Sequence, residues 1–67
     1  MQKVVITMIN GLRYVAYGNA ETLADTLRLK TAIMFHEIYV SEYDKDEFKT
    51  IYVNISNILT IEDYLKN

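Results

Sequence analysis

Side chains that carry most enzyme chemistry are sparse in this sequence. The chain of 67 residues has one histidine, His36, and no cysteine. Glu37 follows His36 in an apolar, β-branched segment, and neighbouring residues of a strand point to opposite faces. The two therefore cannot form a local dyad, and catalysis needs a proton carrier or nucleophile held against a partner. The sequence predicts no catalytic residue, no enzyme activity and no cofactor.

An acidic cluster is the other group with recognisable chemistry. Asp44, Asp46 and Glu47 lie close together in the chain and superficially suggest a calcium loop. The glycine and the distal bidentate glutamate of such a loop are missing. Without cysteine, thiolate metal sites are also excluded. We expect no metal site here, and a solvated turn instead.

Basic and aromatic residues suggest one small-molecule site. Arg13 and Tyr17 fall on the same face of a predicted strand, with Val15 between them, and Arg28 and Lys30 follow where a predicted helix ends. Guanidinium and aromatic groups together can hold a phosphate and stack a base. One hypothesis is therefore a nucleotide site at a boundary between copies. The other interpretation is a surface arginine lying over a tyrosine.

Tyrosine dominates the aromatic residues and suggests a second kind of site. The chain has six tyrosines, two phenylalanines and no tryptophan. A tyrosine buries a large apolar ring and keeps a hydroxyl, which suits interfaces as well as half-buried sheet faces. The alternative is that the tyrosines simply cover a thin core. The residues predicted to bind a partner are Tyr39, Tyr52, Glu42, Asp44, Asp46 and Glu47.

The charge distribution excludes one class of partner. Net charge is −2, with an excess of basic residues in positions 1–30 and of acidic residues in positions 31–67. Duplex-DNA binding relies on a dense basic stripe, and the sequence has none, so duplex DNA is not an expected partner. Charge of two signs suits self-association or a basic partner surface, although an ordinary solvated surface has the same composition.

The first residues carry no recognisable targeting signal. One lysine and a short apolar run precede Asn10-Gly11, which is too short for a signal sequence or a membrane span. We expect no membrane partner and a cytoplasmic location.

The opening of the chain predicts a hairpin. Apolar runs from Val4 to Ile9 and from Leu12 to Tyr17 flank Asn10-Gly11, the strongest short-range hairpin signal. A two-residue turn would pair Ile9 with Leu12 and Val4 with Tyr17. Both faces of this pairing are largely apolar, so we expect cover on both sides, partly from another copy.

The rest of the chain predicts one helix and further strands. Asn19 is a good N-cap for a helix over 20–30, although a single helical turn leading into a long strand is the alternative. Strands are predicted over 33–41 and 48–55, with an acidic turn over 42–47. A short closing strand over 58–61 precedes a polar tail, residues 62–67.

These elements predict a single domain, residues 1–67, with a folded core over 1–61. The fold class is α+β: a small, mostly antiparallel sheet of ββαββ order with a short closing strand and one helix packed on it. The alternative is an all-β small barrel of the Sm-like kind. Because so short a chain buries little apolar surface, and disulfides are excluded, we also expect a homo-oligomer.

The hairpin around Asn10-Gly11 and the late segment 50–55, followed by Asn57-Ile58 and Thr60-Ile61, resemble small accessory proteins of phages and mobile elements of low-GC bacteria. The resemblance implies a stoichiometric inhibitor of a host enzyme or defence system, acting in the host cytoplasm. The leading hypothesis is thus an oligomeric protein-binding inhibitor. The alternatives are a nucleotide-sequestering sponge and a structural subunit of a larger assembly.

Overall fold

The computed structural model describes residues 2–29 and 35–65. These residues form five strands, one α-helix and a short 3₁₀ turn, Ile55–Asn57. In chain order the elements are β1 (Lys3–Met8), β2 (Arg13–Tyr17), α1 (Ala20–Leu29), β3 (Phe35–Glu42), β4 (Lys49–Asn54) and β5 (Ile58–Asp63). The last predicted helical residue, Lys30, and the first two residues of the strand predicted over 33–41 lie outside the described residues.

All five strands belong to one antiparallel sheet. The strand order is β4-β3-β2-β1-β5, so β1 is flanked by β2 and by the last strand of the chain. The two outer strands, β4 and β5, lie at opposite edges, and the sheet is open. The structure is an α+β fold in which both ends of the order are free strand edges.

The apolar core lies on one side of this sheet, here called the helix face. Its buried residues are Val4, Ile6, Ala16, Ile38, Val40 and Val53, and Ala20 and Leu23 of α1 pack against them. The helix begins where the sequence predicts, because the Asn19 Oδ1 accepts the Thr22 N–H at 2.8 Å and so satisfies one of the free donors of the first turn. The prediction of a full helix is confirmed, because α1 has ten residues. The alternative, a single helical turn leading into a long strand, is wrong.

The predicted fold class is wrong in its sheet. The prediction is ββαββ order with a short closing strand over 58–61. The structure instead has a full fifth strand, Ile58–Asp63, which pairs with β1 from Val4 to Met8. The Sm-like barrel is wrong as well, because the sheet is open. The polar residues Glu62 and Asp63 suggest from sequence that the strand ends before them. They nevertheless belong to β5, because polar side chains at a sheet edge stay in water and do not interrupt pairing.

The predicted boundary between core and tail, at residue 61, is corrected for the same reason. Glu62 and Asp63 complete β5. The Asp63 Oδ1 accepts the Ala20 N–H at 2.7 Å, and the Tyr64 N–H donates to the Lys3 carbonyl at 2.8 Å. The end of the described chain thus ties the first turn of the helix to the sheet.

The first hairpin is offset by one residue from its prediction. Its loop has three residues, 9–11, and is closed by the Met8 N–H, which donates to Leu12 O at 2.8 Å. Within this loop only Gly11 has a positive φ, +90°. The observed pairs therefore include Val4 with Ala16 and Lys3 with Tyr17. A one-residue shift moves side chains to the other face. One face is now apolar and the other carries Lys3, Thr7 and Arg13, which corrects the expectation of two apolar faces.

Candidate functional site

The sheet face opposite the helix carries a set of exposed aromatic side chains. The pairs Val15–Ser41 and Glu37–Tyr52 show which residues share it, because paired and alternate residues of antiparallel strands point the same way. We call it the aromatic face; its exposed aromatic residues are Tyr17, Phe35, Tyr39 and Tyr52. The two tyrosines predicted to bind a partner thus lie on one surface, with Tyr39 55% and Tyr52 68% exposed.

Three of the rings on this face are stacked. Phe48, from the loop before β4, lies 4.6 Å from Tyr17 and 5.4 Å from Tyr39 between ring centroids. The interplanar angles are 17° and 30°. Offset stacking of this kind stabilises ring pairs beyond the area they bury. Phe48 therefore joins Tyr17 of β2 and Tyr39 of β3 into one stacked aromatic cluster.

Tyr52 is held by a carboxylate on the neighbouring strand. Its hydroxyl donates to the Glu37 Oε2 at 3.1 Å. This hydrogen bond, together with the nearby negative charge, raises the pKa of Tyr52 above its ordinary value. The phenol stays protonated and offers an oriented ring to solvent.

The acidic turn, residues 42–47, folds against the same face. Ser41 is buried beside Val15, and its hydroxyl donates to the Lys45 carbonyl at 2.8 Å and accepts the Glu47 N–H at 3.1 Å. Lys45 in turn forms an ion pair with Glu42 at 3.2 Å. One buried serine thus holds a turn whose acidic side chains, Glu42, Asp44, Asp46 and Glu47, are all exposed.

An open groove lies between the acidic turn and the sheet. Two aromatic pairs line it, Tyr17 with Phe48 and Tyr43 with Tyr64, whose centroids are 5.9 Å apart. Its volume is about 1360 Å³, and it is open to solvent. We call it the aromatic groove.

Of the residues predicted to form a nucleotide site, the three that the structure describes, Arg13, Tyr17 and Arg28, do not come together within one chain. Arg13 and Tyr17 do share the aromatic face. Arg28 lies on α1, which packs on the opposite side, and pairs there with Asp25 at 2.7 Å. Lys30 lies outside the described residues. A nucleotide site formed between copies stays a prediction.

Sequence reasoning missed Ser41, Tyr43, Phe48 and Tyr64 as parts of this surface. The sequence pattern predicts Phe48 in a strand and Tyr64 in a polar tail. The available signal was that Tyr43 and Phe48 are large rings within or beside a turn of charged residues, where a solvated turn offers them no apolar cover. Tyr17 of β2 covers Phe48, and Tyr64 near the end of the described chain contacts Tyr43. No local pattern predicts these contacts.

Metal-binding and membrane-spanning features are absent from the part of the chain that the structure describes. No group of histidine or acidic side chains there is placed to hold a metal ion, and α1 is too short to cross a bilayer. His36 pairs with Val53 and faces the helix side, whereas Glu37 faces the aromatic side. The two side chains diverge, as strand alternation predicts.

Comparisons of the chain with known protein families, with characterised proteins and with solved structures found no match. The resemblance to phage accessory proteins stays a prediction.

Proposed function

We propose that this chain is a small binding protein without catalysis, which holds a protein partner on its aromatic face and acidic turn. The observation that supports the proposal is the exposure of Tyr39 and Tyr52 on one face of the sheet. Tyrosine rings with few rotatable bonds form contacts of large area at low entropic cost, and they are enriched where binding energy concentrates.

The negative charge of the acidic turn favours a partner with a basic surface. The acidic turn has four exposed carboxylates against one lysine. Of these carboxylates, that of Asp46 lines the aromatic groove, together with Lys3 and Lys45. Complementary charge speeds encounter and selects partners more than it adds affinity. A basic target would be oriented by the turn and then held by the rings.

The biological role we propose is that of a phage-type inhibitor. The resemblance of the hairpin and of segment 50–55 to phage accessory proteins suggests a host enzyme or defence protein as the target. A domain of this size inhibits most simply by covering a functional surface of its target. The protein would then act in the host cytoplasm.

Capture of a partner tests this proposal. Tagged protein carrying Tyr39→Ser and Tyr52→Ser together is expected to lose the protein that the wild type retains from an extract of its natural cells, because two exposed anchors are removed without touching the helix-face core. Quantitative mass spectrometry of the retained proteins measures the difference. We expect at least about a tenfold loss, since single interface anchors contribute 2 kcal/mol or more.

A matched control is available on the other side of the molecule. Leu29 is a large exposed apolar residue of α1, and Leu29→Ser removes a comparable apolar side chain far from the aromatic face. The control is expected to retain the partner. Equal retention by the tyrosine double variant, with an unchanged circular dichroism spectrum, would contradict the proposal.

Self-association belongs to the same proposal. The outer strands β4 and β5 carry no proline, and uncovered strand edges pair readily with further chains. Light scattering after size exclusion, over a dilution series, is expected to give a mass above that of one chain, 7.8 kDa. A mass of one chain at every concentration would contradict self-association and leave the capture experiment unaffected.

A further inference from the structure

The two edge strands of the sheet carry opposite charges. Lys49 is the charged residue of β4, whereas β5 ends in Glu62 and Asp63, and all three side chains are exposed. Lys49 forms no ion pair with the part of the chain that the structure describes. Only one oxygen of Asp63, Oδ1, is engaged there, by the Ala20 N–H. Each edge therefore offers a charge that complements the other edge.

Both edges also have backbone groups available for pairing. Among the described residues, no backbone group of 49–54 or of 59–63 forms a hydrogen bond outside the sheet. The acidic turn does not cover the edge of β4, because Phe48, which follows the turn, stacks on Tyr17 and Tyr39 of the inner strands. A strand of another molecule can thus add to either edge.

One antiparallel register matches the two edges. Both strands have six residues, and full overlap places Lys49 opposite Asp63 of a second copy. Residues that face each other in an antiparallel pair lie on the same side of the sheet. Within one chain Lys49 pairs with Val40, and Asp63 pairs with Val4, so both lie on the helix face. The register therefore brings the opposite charges together on one continuous face.

The next pairs in this register are also compatible. Ile51 faces Ile61 of the second copy, and both side chains are partly buried against the core of their own chain. Tyr52 faces Thr60 on the aromatic face, which pairs an aromatic with a β-branched side chain. The match ends at Ile58, where an irregularity shifts the pairing of β5 with β1.

Pairing of like edges matches less well. Full overlap of two β4 strands would place Lys49 opposite Asn54, which lies on the other face of the sheet. Full overlap of two β5 strands would place Thr60 opposite Ile61, with the same conflict, and would bring only acidic side chains together. A parallel overlap of β4 with β5 would put Lys49 beside Ile58, away from the acidic end of β5.

We infer that copies of this chain join head to tail, with β4 of one copy pairing antiparallel to β5 of the next. This inference rests on the self-association proposed above and names the two surfaces that carry it. Every copy then presents one edge of each kind. Association therefore continues from copy to copy, until a ring closes or an open chain forms.

Cysteine cross-linking tests the joint, because the wild-type chain has no cysteine. Thr50 faces Glu62 of the next copy in the inferred register, and both are exposed. A mixture of Thr50→Cys and Glu62→Cys chains, treated with a short bismaleimide, is expected to yield a mixed dimer by mass spectrometry. We expect at least about tenfold more of it than of either homodimer, because pairing holds the two thiols at high effective concentration.

A matched mixture provides the control. Asp44 is an exposed acidic residue of the turn, and Thr50→Cys mixed with Asp44→Cys is expected to yield little mixed dimer. Circular dichroism shows whether each variant is folded. If Thr50→Cys or Glu62→Cys does not fold, Tyr52→Cys with Thr60→Cys reports the same joint.

Charge reversal at the edge of β4 gives an independent measurement. Lys49→Glu places like charges opposite each other and is expected to raise the dissociation constant of self-association about threefold or more. Lys45→Glu makes the same change of charge in the acidic turn and is expected to have a smaller effect. Light scattering over a dilution series measures both. Equal effects of the two variants would count against the joint.

The outcomes separate this inference from the proposed function. Abundant homodimers of Thr50→Cys or of Glu62→Cys would show pairing of like edges and would overturn the head-to-tail joint. A mass above one chain without the cross-link between positions 50 and 62 would also overturn the joint, while self-association still stands. A mass of one chain at every concentration overturns both, and partner capture through Tyr39 and Tyr52 is then decided by its own experiment.

Discussion

The Ile6→Ala substitution is expected to remove a large share of the free energy of unfolding. Ile6 is 1% exposed and lies on β1, between Tyr14 of β2 and Ile61 of β5. Removing a buried isoleucine to alanine lowers the free energy of unfolding by about 2–5 kcal/mol, because the cavity collapses only in part. A chain of 67 residues has a total stability of roughly 3–10 kcal/mol. One side chain therefore accounts for a large share of it.

Ile9 provides the matched control, because it is the same residue type in the hairpin loop and is 62% exposed. Ile9→Ala is expected to change the free energy of unfolding by no more than about 0.5 kcal/mol. Urea unfolding followed by circular dichroism measures both variants. Similar midpoints for the two would mean that Ile6 is not at the centre of the core, and would contradict the observed register of β1 against β2 and β5.

The Ser41→Ala substitution is expected to release the acidic turn from the aromatic face. Ser41 is 1% exposed, and its hydroxyl bonds both Lys45 O and the Glu47 N–H. Alanine leaves both backbone groups without this partner, which costs about 1–3 kcal/mol for each group that stays buried. The turn will instead move towards water. We therefore expect the global free energy of unfolding to fall by less than this buried-group cost, and residues 43–48 to lose much of their order.

Amide hydrogen exchange measures this effect most directly. The Glu47 amide is expected to exchange at least about tenfold faster in Ser41→Ala, since opening of the turn no longer breaks a hydrogen bond worth about 1.4 kcal/mol or more. Ser56→Ala, at an exposed serine of the 3₁₀ turn, is the control and is expected to leave exchange of the Glu47 amide unchanged. Unaltered exchange of Glu47 in Ser41→Ala would show that other contacts hold the turn.

Local sequence signals were sufficient to predict an element when all the residues of its pattern lie within that element. The α1 helix follows from Asn19 as a cap and from apolar spacing at Ala20, Leu23 and Leu27. The alternation of Ile51 and Val53 against Tyr52 likewise identified two faces of β4. Periodicity reports these features because they depend only on neighbouring residues.

The candidate site was predictable only in part. Composition identifies Tyr39, Tyr52 and the acidic side chains as candidates. The structure places the two tyrosines on the aromatic face, whereas Glu42 pairs with Tyr14 on the helix face. Ser41 and Tyr64 were missed, since a small polar residue in an apolar strand and a tyrosine near the end of the chain carry no local signal. Ser41 is buried because it pairs with Val15, a residue distant in the chain, and Tyr64 contacts the distant Tyr43.

The sequence by itself determined the helix, the presence of strands on either side of it, and the acidic turn, because capping, β-branched composition and charge act over a few residues. Only the tertiary structure decided the hairpin register, the full length of β5 and the side of the sheet on which Arg28 lies. The physical reason is that loop closure at Gly11, pairing of β5 with β1 and packing of α1 each depend on residues brought together from distant parts of the chain.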